Sequence, residues 1–387
     1  MLLKSLRLDR VLSFGPGSET VQLNPLNVLI GPNGSGKSNF IEAIGLLRAT
    51  PTDLLAAIRE GGGVGAWLWK GEPDARAEVD AVLSYRESSE WNLRHSLSFI
   101  EVKARLELVD ERIENEKTAP GSDRPFFYFG YERGRPMLNV KDARRVLRRE
   151  DIDPQQSVLS QRKDPDQYPE LTFVGDAYSS IRLYRDWNFG RRSSPRRPQP
   201  ADLPTDFLRE DTQNLGLILN RFRRDVATKR ALIEALQQIF EGIVDFSVQI
   251  EGGTVQIFLE EERWAIPATR LSDGTLRWLA LLAVLLDPSP PPLICIEEPE
   301  LGLHPDLMPT LARLLKEASE RTQIVVTTHS EILVDAFTDT PEAVLICERE
   351  DGCTTLRRLD GDLLSAWLEA YTLGQLWRKG ELGGTRW

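Results

Sequence analysis

The run Gly31-Pro32-Asn33-Gly34-Ser35-Gly36-Lys37-Ser38 constrains this chain more than any other stretch, because a G-x-x-x-x-G-K-[ST] spelling works only between a strand and a helix. Both flanks comply. Leu26-Asn27-Val28-Leu29-Ile30 is a short apolar run suited to a buried strand, and Asn39 to Leu47 places apolar residues at helical period. Glycines let backbone N–H groups converge on an anion, and the start of a helix adds its positive dipole end. A phosphate-binding loop is therefore predicted over Gly31 to Asn39, with Pro32, Asn33, Gly34, Ser35 and Gly36 shaping the cradle. Lys37 is expected to reach the β- and γ-phosphates of a nucleotide, and Ser38 to set its hydroxyl on Mg²⁺.

A second group of candidate residues lies in the last third of the chain. Leu293-Ile294-Cys295-Ile296-Glu297-Glu298 reads as a buried strand ending in two carboxylates. One carboxylate there can hold Mg²⁺ through water while its neighbour polarises an attacking water, so Glu297 takes the metal side and Glu298 the general-base role. Ile324-Val325-Val326-Thr327-Thr328 is another buried strand, ending at His329. Leu271-Ser272-Asp273-Gly274-Thr275 precedes the apolar helix Leu276–Leu286. Ser272 is placed to cap that helix, whose first turn, with Asp273 and Gly274, can present N–H groups to a phosphate.

The wording of these segments resembles one family. Asn27 to Ile44, reading NVLIGPNGSGKSNFIEAI, is similar to the first motif of SMC, RecF and related ABC-type ATPases. Pro299-Glu300-Leu301-Gly302-Leu303-His304-Pro305 resembles the loop that crosses the dimer interface in that group, and the tail from Leu373 to Gly384 resembles its stand-alone, OLD-like members. The likeness covers roughly residues 1–50 and 205–387. It implies an α/β P-loop NTPase, an ABC-type ATPase head with a mixed or parallel sheet and an inserted helical lobe. Residues 1–109 and 241–387 would form the two parts of the head, and 110–240 the inserted lobe.

The same likeness implies Mg²⁺ as cofactor and ATP as substrate. Residues 271–275 would be a degenerate signature motif, with Asp273 where the family has a second Gly and Thr275 where many members have Gln. His329 would contact the γ-phosphate, and Glu297 stands where most relatives carry Asp. Gln161, in Ser157-Val158-Leu159-Ser160-Gln161-Arg162, is the candidate for the Gln that links the metal site to the helical lobe. Because the family's signature motif meets the partner's nucleotide, a homodimer sandwiching two ATP molecules is implied.

Composition narrows the rest. The 387 residues carry 48 Lys+Arg against 59 Asp+Glu, a net charge of −11 that disfavours indiscriminate binding to a phosphate backbone. Three cysteines make no disulfide framework, three histidines show no zinc spacing, and Cys295 reads as a small buried hydrophobe. No stretch has the length of a membrane span and the N-terminus alternates as a strand does, so no membrane insertion and a cytoplasmic location are expected.

Periodicity predicts a helix from about Leu208 to Phe240, then strands Asp245–Glu251 and Thr254–Glu260 around Gly252-Gly253. Strands then interleave with helices, as in a parallel α/β sheet. Arg144, Arg145, Arg148 and Arg149 would share one side of a helix, and Arg191, Arg192, Arg196 and Arg197 lie near Tyr184, Trp187 and Phe189. Either cluster can be a nucleic-acid contact or a solvated face. The leading functional expectation is an ATP-gated switch working with DNA or a nuclease or effector partner, in repair or antiphage defence. The alternatives are an energy-coupling ATPase subunit of a membrane transporter and a nucleotide-binding scaffold that barely hydrolyses. Asp360-Gly361-Asp362 reads as a loop, and no nuclease activity is expected from this chain alone.

Overall fold

In the computed structural model, which describes residues 1–72, 75–85, 92–132, 134–140, 143–147 and 151–384, the chain forms two compact units. The first takes Met1–Ile181, Leu345–Leu359 and the end from Leu382, and the second Arg182–Val344 and Asp360–Glu381. The units thus divide the chain at positions other than 109 and 240. Pairing between strands far apart in sequence sets their membership.

In the first unit, strand β1 (Leu3–Asp9) is followed by β2 (Val21–Gln22), β3 (Leu26–Ile30) and helix α1 (Lys37–Ala49). Two short helices, α2 (Leu54–Glu60) and α3 (Val64–Trp67), lead to β4 (Ala77–Leu83), β5 (Leu93–Val102) and β6 (Arg105–Asn115). Next come β7 (Phe127–Glu132), β8 (Arg135–Val140), β9 (Ala143–Val146), α4 (Val158–Gln161) and α5 (Pro169–Ser179). All these strands except β3 join one antiparallel eight-stranded sheet in the order β2-β1-β4-β5-β6-β7-β8-β9. The charged stretch beginning at 110 is therefore largely sheet, with Asp110 and Arg112 half-exposed on β6 and Glu111 and Glu114 buried. Arg144 and Arg145 fall in β9, paired with Asn139 and Leu138, and not on a helix. That removes the i,i+4 spacing argument for their cluster, whose Arg148 and Arg149 lie outside the described residues.

A buried polar network ties α4 and α5 to this sheet. Glu111 on β6 accepts from Ser157 Oγ and from the Val158 N–H at 2.8 Å, and lies 3.1 Å from His95 Nε2. The other ring nitrogen of His95 meets the Tyr178 hydroxyl at 3.3 Å. His95, one of only three histidines, is thus a satisfied core residue.

The second unit begins with β10 (Arg182–Tyr184) and β11 (Gln199–Pro200). The expected long helix is two, α6 (Leu215–Phe222) and α7 (Val226–Gln237), because Asp225 accepts the Thr228 N–H at 2.7 Å and starts a second helix. Strands β12 (Ile243–Glu251) and β13 (Thr254–Glu261) form the expected hairpin, and β11 and β14 (Ala265–Pro267) also pair with β13. Then follow α8 (Asp273–Leu285), β15 (Leu293–Glu297), α9 (Met308–Ser319), β16 (Gln323–Thr327) and α10 (Glu331–Asp335). Strands β10, β15 and β16 are parallel neighbours in that order. The largely apolar sequence of β15 and β16 matches burial on both faces.

Helix α8 is buried along almost its whole length from Thr275 to Leu285, and the indole of Trp278 donates to Ala235 O of α7 at 3.0 Å. The chain then adds β17 (Val344–Glu350) and β18 (Cys353–Arg358), an antiparallel hairpin whose Leu345–Leu359 stretch belongs to the first unit. It ends with α11 (Gly361–Leu368) and α12 (Leu373–Lys379) in the second. Asp360 is the N-cap of α11, accepting from Asp362 and Leu363 N–H groups, which gives the Asp-Gly-Asp run a structural use. Among the described residues no helix is long and apolar enough to cross a membrane.

One buried ion pair fixes α6 against the end of α8. Asp287 is almost fully buried and accepts from Arg221 Nη2 at 2.5 Å and from the Ser289 N–H at 3.0 Å. Removing the carboxylate strands a cation at the surface of the core. We expect Asp287→Ala to destabilise the second unit by about 2–3 kcal/mol, toward the low end for a buried pair because the guanidinium is partly solvated. Urea unfolding followed by circular dichroism measures this, and an unchanged midpoint would show the pair to be unimportant.

Candidate nucleotide site

The phosphate loop is built within the first unit. Strand β3 is wholly buried and hydrogen-bonded to β17, so the chain leaves it with little freedom and enters the loop at Gly31. A Cβ on Gly31 would stand 2.1 Å from Cys347 O, and one on Gly36 would stand 2.2 Å from Thr354 Oγ1. Both positions therefore require glycine for contact reasons as well as for their positive φ values of 150° and 110°.

The hairpin β17–β18 holds the loop from beneath. Ser35 O accepts from Thr354 Oγ1 at 2.7 Å and from Cys347 Sγ at 3.2 Å. Burial pushes the Cys347 thiol up to about 11, so it stays protonated and can donate. Ser13 Oγ accepts from Asn39 Nδ2 and donates to Thr354 Oγ1, at 2.7 Å each. Asn39 is thereby engaged in bracing the start of α1, and Phe14 packs on Phe40 with ring centroids 6.4 Å apart.

Lys37 is buried, and its ammonium donates to Gly31 O and Pro32 O at 2.9 Å each. Those acceptors are ones it can exchange for phosphate oxygens. The first turn of α1 has no side-chain cap, and the Ser35 hydroxyl is buried without a hydrogen-bond partner. An uncapped helix start beside an orphaned hydroxyl fits an anion. Ser38 follows on the second position of α1 as an exposed residue. Among the described residues no cluster of three or more His, Cys, Asp or Glu could cage a metal alone. Mg²⁺ held by a hydroxyl, a carboxylate and phosphate oxygens needs no such cluster.

The acidic residues are arranged within the second unit. Glu297 ends β15, and Glu298 follows with φ 45°, a left-handed conformation strained for a residue with a Cβ. Its N–H donates to Thr327 O at 3.0 Å, which keeps the turn closed against β16. The turn aims the Glu298 carboxylate at His329, with Oε1 3.5 Å from Nε2. Glu300 supplies the anchor that sequence reasoning missed. Its Oε1 accepts from Thr328 Oγ1 at 2.6 Å and from the His329 N–H at 2.7 Å, fixing the backbone that carries the histidine. The signal was present in the Glu-Glu-Pro-Glu spelling, but only folding brings the third carboxylate to the end of β16.

Ser272 caps α8 as expected, its Oγ accepting from the Thr275 N–H at 3.0 Å. Asp273 is ion-paired with Arg196, which also donates to Leu271 O at 2.6 Å and to Phe189 O at 3.0 Å. Arg196 is therefore a brace for the signature segment and leaves the proposed arginine cluster, whose Arg191, Arg192 and Arg197 remain exposed. Gly274 faces Gly302 O, and a Cβ there would come within 2.7 Å of it.

Gln161, in the first unit, is engaged by its own loop. Its amide accepts the Asp153 N–H at 2.8 Å and donates to Asp153 O, Gln156 O and Ser157 O, closing the local loop around α4. In the second unit Arg185, leaving β10 beside β15, meets Glu297. Its Nε lies 3.3 Å from Glu297 Oε1. No spacing rule pointed to Arg185, since parallel pairing of β10 with β15 alone brings it there.

Burial pushes the Glu300 carboxyl above its ordinary value of 4.5, against the opposing pull of its Thr328 and His329 hydrogen bonds. The folded chain thus holds this proton more tightly than the unfolded one. Its stabilising contribution is present below the unfolded value and is lost as pH rises through the folded one. Glu300→Gln cannot lose a proton and keeps an acceptor for both donors. Its thermal midpoint relative to the parent is expected to climb as the pH is raised above 4.5. A difference that stays flat across that range would contradict the assignment.

Comparison with known proteins agrees with this geometry. Residues 26–335 match the family model described as "AAA domain, putative AbiEii toxin, Type IV TA system". The chain is similar to a solved SMC head bound to the C-terminal winged-helix domain of ScpA, at 15% identity and a TM-score of 0.59, covering 93% of this chain and 99% of that one. It is also similar to the Pyrococcus furiosus Smc head with an extended coiled coil bound to the C-terminal domain of ScpA. That likeness has 14% identity and a TM-score of 0.58, over 95% of this chain and 98% of the other. No curated protein matches. With its glycine-rich loop, its acidic strand and its serine-capped helix on a mixed α/β fold like that of SMC heads, the chain belongs to the family of AAA domains described as putative AbiEii toxin.

Proposed function

We propose that this chain binds and hydrolyses Mg-ATP and acts as an ATP-gated dimeric switch, working with nucleic acid or with a nuclease or effector protein in repair or antiphage defence. The observation that carries the catalytic reading is Glu298, held at a strained φ of 45° with its carboxylate 3.5 Å from His329. Strain of this kind persists where surrounding structure over-determines it, and it serves to aim a side chain. Family membership supports the nucleotide, and the SMC-head-like fold supports the head arrangement.

In this reading the loop N–H groups and Lys37 would bind the phosphates, and Ser38 and Glu297 would hold Mg²⁺. That ion would neutralise charge on the β- and γ-phosphates. Glu298 accepts a proton from the attacking water, and His329 at the end of β16 orients the γ-phosphate. Ser272, Asp273 and Gly274, at the first turn of α8, meet the nucleotide of the partner protomer. Loss of the γ-phosphate would remove that bridge and open the sandwich.

Two variants separate binding from chemistry. Lys37→Ala is expected to abolish nucleotide binding. Glu298→Gln is expected to keep it while lowering turnover by about 100-fold or more and accumulating dimer in Mg-ATP. Turnover by phosphate release and mass by light scattering measure the two effects. A Glu298→Gln protein that stays monomeric at saturating Mg-ATP would rule out the sandwich. Purifying that trapped form from its native cell extract identifies the partner class. Recovery of nucleic acid or a nuclease supports the switch reading, and recovery of a membrane permease overturns it.

A further inference from the structure

We propose that Arg185 is a positioning residue that competes with Mg²⁺ for Glu297, and that the loop from Arg185 to Arg196 carries the outcome to the first turn of α8. This inference rests on the nucleotide reading above and adds to it a residue and a route within the second unit.

Arg185 and a divalent cation are rivals for one carboxylate. The guanidinium approaches Glu297 Oε1 to 3.3 Å, yet its Nε and Nη2 atoms are buried without hydrogen-bond acceptors. The contact is therefore held by charge more than by aligned hydrogen bonds, and a cation of double charge can displace it. Once Glu297 is committed elsewhere, Arg185 is a half-buried cation without its counter-charge and is driven to move. A cavity of about 570 Å³ next to it offers the space, lined by Asp186, Asp273, Gly274, Arg277 and Gly302 among others. Asp186 provides the acceptor for the displaced guanidinium.

The same short loop is fastened to α8 at the Trp187 carbonyl and through the Arg196–Asp273 ion pair. Arg277, on the second turn of α8, donates to Trp187 O at 3.1 Å, contacts Glu298 O at 3.5 Å and lies over the Phe189 ring, 5.8 Å from its centroid. Arg196 donates to Phe189 O and is ion-paired with Asp273 at the start of α8. Trp187 packs edge-on between Tyr184 and Phe189, at 5.5 and 5.8 Å. A displacement of Arg185 thus pulls on a segment whose next carbonyls hold the helix that Ser272 caps. The loop connects the metal-side carboxylate to the signature segment through protein atoms alone.

The test uses the full chain in a Glu298→Gln background. Binding of an N-methylanthraniloyl ATP analogue is titrated with Mg²⁺, and the Trp187 signal is followed as tryptophan fluorescence lost in a Trp187→Phe control. Arg185→Gln removes the rival charge. It is expected to lower the half-saturating Mg²⁺ concentration about three- to tenfold and to abolish the Mg²⁺-dependent Trp187 change. Arg185→Lys keeps a rival charge and both behaviours, and Asp186→Asn raises the Mg²⁺ requirement by removing the second acceptor. If Arg185→Gln binds the analogue with an unchanged or higher Mg²⁺ requirement, the competition is refuted while the nucleotide reading stands. If the parent binds no analogue at any Mg²⁺ concentration, both fall. Asp186→Asn and Arg185→Lys report independently should Arg185→Gln not fold.

Discussion

Much of the first unit is organised around one backbone oxygen. Ser35 O accepts a hydroxyl from β18 and a thiol from β17, while Cys347 O lies against the Cα of Gly31 at the loop's entrance. A chain segment held that closely at both ends cannot relax when an anion arrives or leaves, and a preorganised cradle loses little entropy on binding. The demand for glycine at Gly31 and Gly36, the brace from Asn39 to Ser13 and the uncapped start of α1 all follow from this close approach. The hairpin that supplies it lies 312 to 319 positions further along the sequence, so loop geometry depends on long-range pairing.

The second unit solves a different problem, which is how to hold several carboxylates near one another. Glu297, Glu298 and Glu300 lie within four positions, and their charges repel unless each is given its own partner. Arg185 faces the first, His329 the second, and Thr328 with the His329 N–H the third. Burial depresses the Arg277 guanidinium from its ordinary value, and the charges of Glu300 and Glu298 oppose that fall. The arrangement leaves Glu298 with its partner at 3.5 Å, close enough to orient it and too long to be a firm hydrogen bond. A candidate base needs that slack if water is to reach it.

Sequence patterns located the elements of the site better than they located its wiring. Strand β3 begins and ends where its apolar run does, and α1, expected over Asn39 to Leu47, runs two residues further at each end, because strand, turn and helix signals there are all local. The Ser272 cap was legible for the same reason. The arginines were not. Arg196 read as part of a surface cluster beside Arg197, and only the fold turns it inward onto Asp273. Gln161 matched a family pattern by order, yet the loop around Asp153 consumes its amide. Charged side chains with long reach are decided by whichever partner the fold delivers, and a one-dimensional pattern holds no record of that.

The sequence by itself determined the chemistry on offer: a phosphate loop, two terminal carboxylates, a histidine after a buried strand, and a helix start with a serine cap. These depend on contacts between residues a few positions apart, where backbone geometry follows directly from residue type. Tertiary structure alone decided that the charged stretch after 110 would extend an antiparallel sheet, that Arg185 would meet Glu297, and that Cys347 and Thr354 would carry Ser35. Each of those is set by strand pairing across tens to hundreds of positions. Such pairing is fixed by which buried faces fit together, and no local propensity encodes it.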